Sequence, residues 1–167
     1  MRSKHHLSYE EINRKLGLFT SESEDEALIQ SMLEIMQDNE ADFTLTFRRF
    51  CEAALSPELE GSLRHLFKDA GGAYDKWATN WRVRLSREAK APDRRVELMH
   101  QANPAIIPRN HRIEQAIEAA VDQEDYGPFE KHLEVLSSPY DEELEGLREY
   151  MPPPKPEEHD LQTFCGT

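Results

Sequence analysis

Residues 103–120, NPAIIPRNHRIEQAIEAA, decide how this chain is read. Pro104 and Pro108 lack an amide donor and push the residue before each of them towards extended geometry, so 103–108 is not helical. Asn110 is then placed to cap a new helix. Ile113, Ala116, Ile117, Ala120 and Val121 follow at spacings of three and four and share one face of it. Ile106 and Ile107, held extended between the prolines, are placed to pack across a neighbouring helix.

Upstream of this stretch the pattern is helical throughout. Ser8 with Glu11 three residues later is a capping box, and Gly17 after Leu16 is a stop, which predicts a short helix over 9–16. The acidic run 21–26 suits the positive end of a second helix, which carries Leu28, Ile29, Met32, Leu33, Ile35 and Met36 and ends at Asn39. Phe43, Phe47, Phe50 and Ala54 predict a third helix over 42–55 with an aromatic stripe in the core. Ser56 and Pro57 open a fourth, with Leu59, Leu63, Leu66 and Phe67 inside, ended by Gly71 and Gly72. Tyr74, Trp77, Trp81 and Leu85 lie along a fifth helix that runs to about Lys90. Pro92 and Asp93 open a sixth, bearing Val96, Leu98 and Met99.

Downstream, Gly127 and Pro128 break the chain before a short helix with Phe129, Leu133 and Leu136, and 140–150 reads as one more acidic helix. Residues 151–156, MPPPKP, cannot be helical and run extended, leading to Phe164, Cys165, Gly166 and Thr167. The expected fold is all-α: an irregular bundle of about eight helices over 1–150, with a Pro-rich tail over 151–167.

The composition agrees. A chain of 167 residues with 38% hydrophobic and 32% charged side chains and a mean hydropathy of -0.77 describes a polar, soluble, helix-rich protein able to bury an ordinary core. No apolar run is long enough for a bilayer, and no secretory signal precedes the first helix, so the expected partners exclude membranes. The net charge of -13 repels phosphate backbones, so nucleic acid is not an expected partner either. Arg82, Arg84, Arg87, Arg94 and Arg95 are expected on solvated or salt-bridged helix faces. Two cysteines, Cys51 and Cys165, fit a reducing compartment: cytoplasmic, or mitochondrial in a eukaryote.

Candidate chemistry is sparse. The histidines have no metal-ligand spacing, so no metal site is expected. Gly71-Gly72 has no preceding strand and no Lys-Ser/Thr after it, and is not a phosphate loop. Cys51 lies in an apolar helix and is expected to be an inert buried thiol. Cys165, third from the end, is the accessible one, better suited to disulfide exchange than to catalysis.

Seven pieces, taken in order, carry a resemblance: Lys15-Leu16-Gly17-Leu18, DFTLTFR over 42–48, WRVRL over 81–85, Asn103-Pro104 with Pro108-Arg109-Asn110, Ala116-Ile117 with Ala119-Ala120, Pro139-Tyr140, and the terminal FCGT. Together they resemble the C-terminal part of the SelO family, protein adenylyltransferases once regarded as pseudokinases. The resemblance implies a parent with a kinase-like domain that binds ATP with Mg2+ and transfers AMP to Ser, Thr or Tyr hydroxyls of protein substrates. The glycine loop, strand-borne lysine and Asp-Phe-Gly of such a domain are absent here. No catalytic, cofactor-binding or metal-ligating residue carries over, and the chain alone is expected to be inactive. The family's near-terminal cysteine, a selenocysteine in animal members, is placed for a redox link with the kinase-like domain, and Cys165 matches it. Asn103, Pro104, Arg109 and Asn110 are the expected contact with that missing N-terminal domain, where Arg109 either meets an anion or serves as a cap or carboxylate partner.

The competing reading is an independent all-α interaction module that uses the Phe43/Phe47/Phe50 or Trp77/Trp81 face. A chain separated from a larger body is expected to expose a contiguous apolar patch, whereas an independent module is expected to bury its stripes.

Overall fold

A computed structural model of the chain describes residues 7–68, 72–141 and 149–154. Among them are eight α-helices and one 3-10 turn, with no strand. Backbone contacts group the chain into two compact units, Met1–Asn103 and Pro104–Thr167.

The first unit begins with α1 (Tyr9–Lys15), where the Ser8 hydroxyl accepts from the Glu11 amide and the Glu11 carboxylate accepts from the Ser8 amide, closing the capping box. Gly17 stops the helix at φ +79°, and a Cβ there would come 2.7 Å from the Met99 sulfur. Only glycine tolerates both conditions. The acidic run leads into α2 (Asp25–Asp38), whose Ile29, Met32 and Met36 are buried. Asn39 ends it, returning its side-chain amide to the Ile35 carbonyl at 2.8 Å.

In α3 (Phe43–Leu55) the Asp42 carboxylate caps the Leu45 amide at 2.8 Å. Phe47 and Phe50 are fully inside, while Phe43, expected in the same core stripe, is partly exposed at its end. In α5 (Ala73–Leu85) both tryptophans are buried, each donating its indole N–H: Trp77 to the Leu28 carbonyl at 2.8 Å and Trp81 to the Leu16 carbonyl at 3.0 Å. Those two bonds fix α5 against α2 and the end of α1. α6 (Pro92–Ala102) starts on its proline and buries Met99.

Three expectations fail in this unit. The fourth helix is a 3-10 turn (Pro57–Glu60) followed by a single α-turn, α4 (Gly61–Arg64). Gly61 in mid-segment disfavours a longer helix, and Leu59 faces solvent while Leu63 and Phe67 are buried. The fifth helix ends at Leu85 rather than near Lys90. The amides of Arg87 and Glu88 bond three residues back, to Arg84 and Leu85, and this tightened turn folds Glu88 onto Arg84. Nor are the arginines all surface groups. Arg87 pairs with Glu22 at 2.6 Å and Arg94 with Glu97 as expected, but Arg84 and Arg95 are buried.

In the second unit, residues 104–108 are non-helical as expected, and so is Arg109. The amides of Ala105 and Ile106 both donate to the Pro139 carbonyl, at 2.7 and 3.2 Å. Ala105, Ile106 and Val135 form a small core with Leu136, Tyr150 and Met151 against it. α7 spans Asn110–Gln123 and ends on Glu124 in the left-handed region, φ 54°. α8 spans Gly127–Ser137. Gly127 and Pro128 therefore start a helix rather than break the chain, with the proline in the first turn, where a missing N–H is harmless.

The apolar stripes of these two helices are largely open. On α7 only Ala116 of the shared face is buried, and Ile113, Ile117 and Val121 face outward. On α8, His132 and Val135 are inside while Phe129 and Leu133 are exposed. The acidic helix expected over 140–150 and the tail beyond 154 fall largely outside the described residues.

Candidate functional site

The residues expected to meet a partner fall on either side of the unit boundary, Asn103 in the first unit and Pro104, Arg109 and Asn110 in the second, and each is anchored within its own unit. Asn103 closes α6, its amide donating to the Met99 carbonyl at 2.9 Å. It is fully buried, and its side-chain amide donates to the Lys15 carbonyl at 2.9 Å and lies 3.4 Å from the Cys51 sulfur. The Lys15 ammonium donates to the Ala102 carbonyl at 2.6 Å and to the Asn103 side-chain oxygen at 3.4 Å. Burial pushes the Lys15 pKa down, with Cys51 and Glu11 opposing.

Sequence reasoning missed Arg48, which completes this knot. Its guanidinium is buried and donates to the Asn103 carbonyl at 2.7 Å and the His100 carbonyl at 3.4 Å, so it binds the open carbonyl end of α6. The available signal was α3 itself: FTLTFRRFCEAAL is apolar around more than one face, so an arginine beside Phe47 has to be internal. Cys51 is fully buried, as expected, and its thiol donates to the Phe47 carbonyl at 3.7 Å. Replacing Asn103 by alanine leaves the Lys15 carbonyl and ammonium short of partners. A loss of about 2 kcal/mol is expected in urea denaturation followed by tryptophan fluorescence.

In the second unit, Pro104 leads into the extended stretch and Arg109 is buried. Arg109, not Asn110, occupies the cap position of α7: with φ -99° and ψ 134° its carbonyl already accepts from the Arg112 and Ile113 amides. Asn110 becomes the first helical residue and is exposed. The Arg109 guanidinium donates to the Met151 carbonyl at 3.1 Å, and Arg112 reaches the Glu149 carbonyl and lies 5.1 Å over the Tyr150 ring. The two arginines thus tie residues 149–151 down beside α7. Burial, then the nearby Arg112, hold His132 below the usual histidine range, so it is neutral near pH 7. Cys165, the expected redox residue, lies outside the described residues.

Mg2+ with ATP needs carboxylates converging on the metal and cations left over for phosphates. Among the described residues no three His, Cys, Asp or Glu side chains converge as metal ligands. The cleft of about 420 Å³ between α2 and α5 has Arg84 and Arg87 in its wall, and both are already ion-paired, to Asp25, Glu88, Glu22 and Glu24. These residues do not fit the nucleotide. No described helix is long and apolar enough to cross a membrane.

The family model described as protein adenylyltransferase SelO matches residues 2–137. Among curated relatives named protein nucleotidyltransferase YdiU, that of Rhodopseudomonas palustris strain CGA009 is 50% identical over 153 residues, covering 92% of this chain and 31% of its own length. Those of Bradyrhizobium sp. strain ORS 278 and Rhizobium meliloti strain 1021 are 49% and 47% identical over 156 residues, each covering 93% of this chain and 31% of their own. The chain therefore spans just under a third of the length of the relatives it matches.

Proposed function

The chain belongs to the protein adenylyltransferase SelO family, and on that premise we propose that it is the helical C-terminal part of a longer adenylyltransferase, which it supports without forming a catalytic pocket. In this reading the catalytic work belongs to a kinase-like domain outside the chain. That domain binds ATP with Mg2+ and passes AMP to a Ser, Thr or Tyr hydroxyl of a protein substrate, releasing pyrophosphate. Pro104, Arg109 and Asn110, with Asn103 anchoring the end of α6, form the stretch that faces it. Cys165 serves as a redox-regulatory tail, exchanging with a disulfide in that domain.

The observation that carries the proposal is an asymmetry of coverage. The match takes in 92% of this chain yet only 31% of the Rhodopseudomonas palustris relative, while the cleft beside α2 and α5 has both of its arginines ion-paired.

Two measurements test it. Calorimetric titration of Mg-ATP into this chain is expected to give no binding. Deleting the matching segment from the Rhodopseudomonas palustris relative is expected to lower AMP incorporation into protein about tenfold or more, roughly 1.4 kcal/mol of transition-state stabilisation. Nucleotide affinity in the chain alone, or undiminished AMP transfer without the segment, overturns the reading.

A further inference from the structure

The outward faces of α7 and α8 are not scattered exposure. Ile113, Ile117, Ala120, Tyr126 and Phe129 line one groove of about 380 Å³ with Ala116 in its floor. Ile117 is 49% exposed and Phe129 50%, in a chain otherwise rich in charge. Single exposed apolar residues are ordinary, but a continuous apolar groove on two adjacent helices marks a binding surface. The stretch that carries it is acidic: between 110 and 137 the sequence holds seven carboxylates, among them Glu114, Glu118 and Glu130, against Arg112 and Lys131.

We propose that this groove is the seat of an amphipathic, basic segment of the longer protein, lying outside this chain. The inference rests on the reading given under Proposed function. Two observations choose the occupant. More than two thirds of the length of the matched relatives lies outside the region shared with this chain, which supplies abundant covering surface. The acidity of that stretch selects against a second copy of the same face, since two such faces repel when brought together. The occupant's chemistry follows: apolar side chains at helical spacing to fill the groove, with lysine or arginine at the edges to meet the carboxylates. On this assignment the stripe of α7 is a core stripe, with its core completed from elsewhere in the same protein.

The experiment joins this chain to the remaining part of the Rhodopseudomonas palustris relative and compares thiol labelling in the joined protein and the chain alone. Ile117→Cys reports the groove in a Cys165→Ser background, and Val83→Cys, on α5, serves as the exposed control. Labelling at 117 is expected to slow about tenfold or more on joining, while labelling at 83 does not change. Equal rates at 117 in a joined protein that melts cooperatively overturn the proposal. Should the joined protein fail to fold, the same comparison is made in the relative itself, at the residue aligned with Ile117; free labelling there has the same force. Protection in the chain alone that disappears on dilution assigns the groove to a second copy and also overturns it. Joined protein that transfers AMP but labels freely at 117 sinks the groove alone. Joined protein that is protected but inert sinks only the support for catalysis.

Discussion

Replacing Arg84 by methionine is expected to remove about 3–5 kcal/mol of stability, because it breaks a buried charge cluster from one side only. Arg84 is 1% exposed. Its guanidinium donates to Asp25 at 2.7 Å, to Glu88 at 2.9 Å and to the Thr20 carbonyl at 2.8 Å. Methionine matches the volume but leaves two enclosed carboxylates without their cation. The pH dependence identifies the cause. Burial pushes the Glu88 pKa up, but hydrogen bonds from Thr20 and from Arg84 outweigh it and hold the carboxyl below its ordinary value. A depressed carboxyl contributes stability that is present above the unfolded value, about 4.3, and is lost as pH falls through the folded value. In the variant one of the opposing hydrogen bonds is gone, so the carboxyl is depressed less and contributes less stability above its unfolded value. The gap between the two proteins is therefore expected to be widest near pH 7 and to narrow on acidification. A purely steric cause predicts a gap independent of pH. Changing Asp25, Arg84 and Glu88 together to apolar residues is expected to recover much of the loss.

This cluster also marks the limit of what the sequence discloses. Local signals were legible: Ser8 with Glu11, Gly17, Asn39 and Asp42 each place a helix end through atoms within five residues of it. The ion pairing of Arg84 is legible but its burial is not, because its partners Thr20 and Asp25 lie about sixty residues away and nothing in WRVRL distinguishes an arginine facing them from one facing water. Arg48 was overlooked for the same reason, its acceptors being the carbonyls of Asn103 and His100. Asn103 itself was legible as a junction, since Pro104 forces the end of α6, but its bonds to Lys15 and Cys51 were not. The stripe on α7 is legible in its residues but not in its surroundings. Periodicity tells which side chains share a face and is silent about what covers that face.

The second large effect belongs to the aromatic centre of Met1–Asn103. Phe50→Ala is expected to destabilise this unit by about 3–5 kcal/mol, a sizeable share of the roughly 5–15 kcal/mol that holds a domain folded. Phe50 is fully buried, with its ring centroid 5.8 Å from Phe47, 5.3 Å from Trp77 and 5.0 Å from Trp81. Collapse around an alanine is restricted, because both tryptophans are pinned by indole hydrogen bonds to the backbone at Leu28 and Leu16. A cavity that cannot close places the substitution at the upper end of the range. Phe50→Leu keeps most of the volume and is expected to lose about 1–2 kcal/mol. The sequence has two tryptophans, and both touch this ring, so indole fluorescence in a urea titration reports the affected unit directly. A midpoint for Phe50→Ala close to that of Phe50→Leu means that the tryptophans move in to fill the gap. In that case the two indole bonds are weaker anchors than their geometry implies.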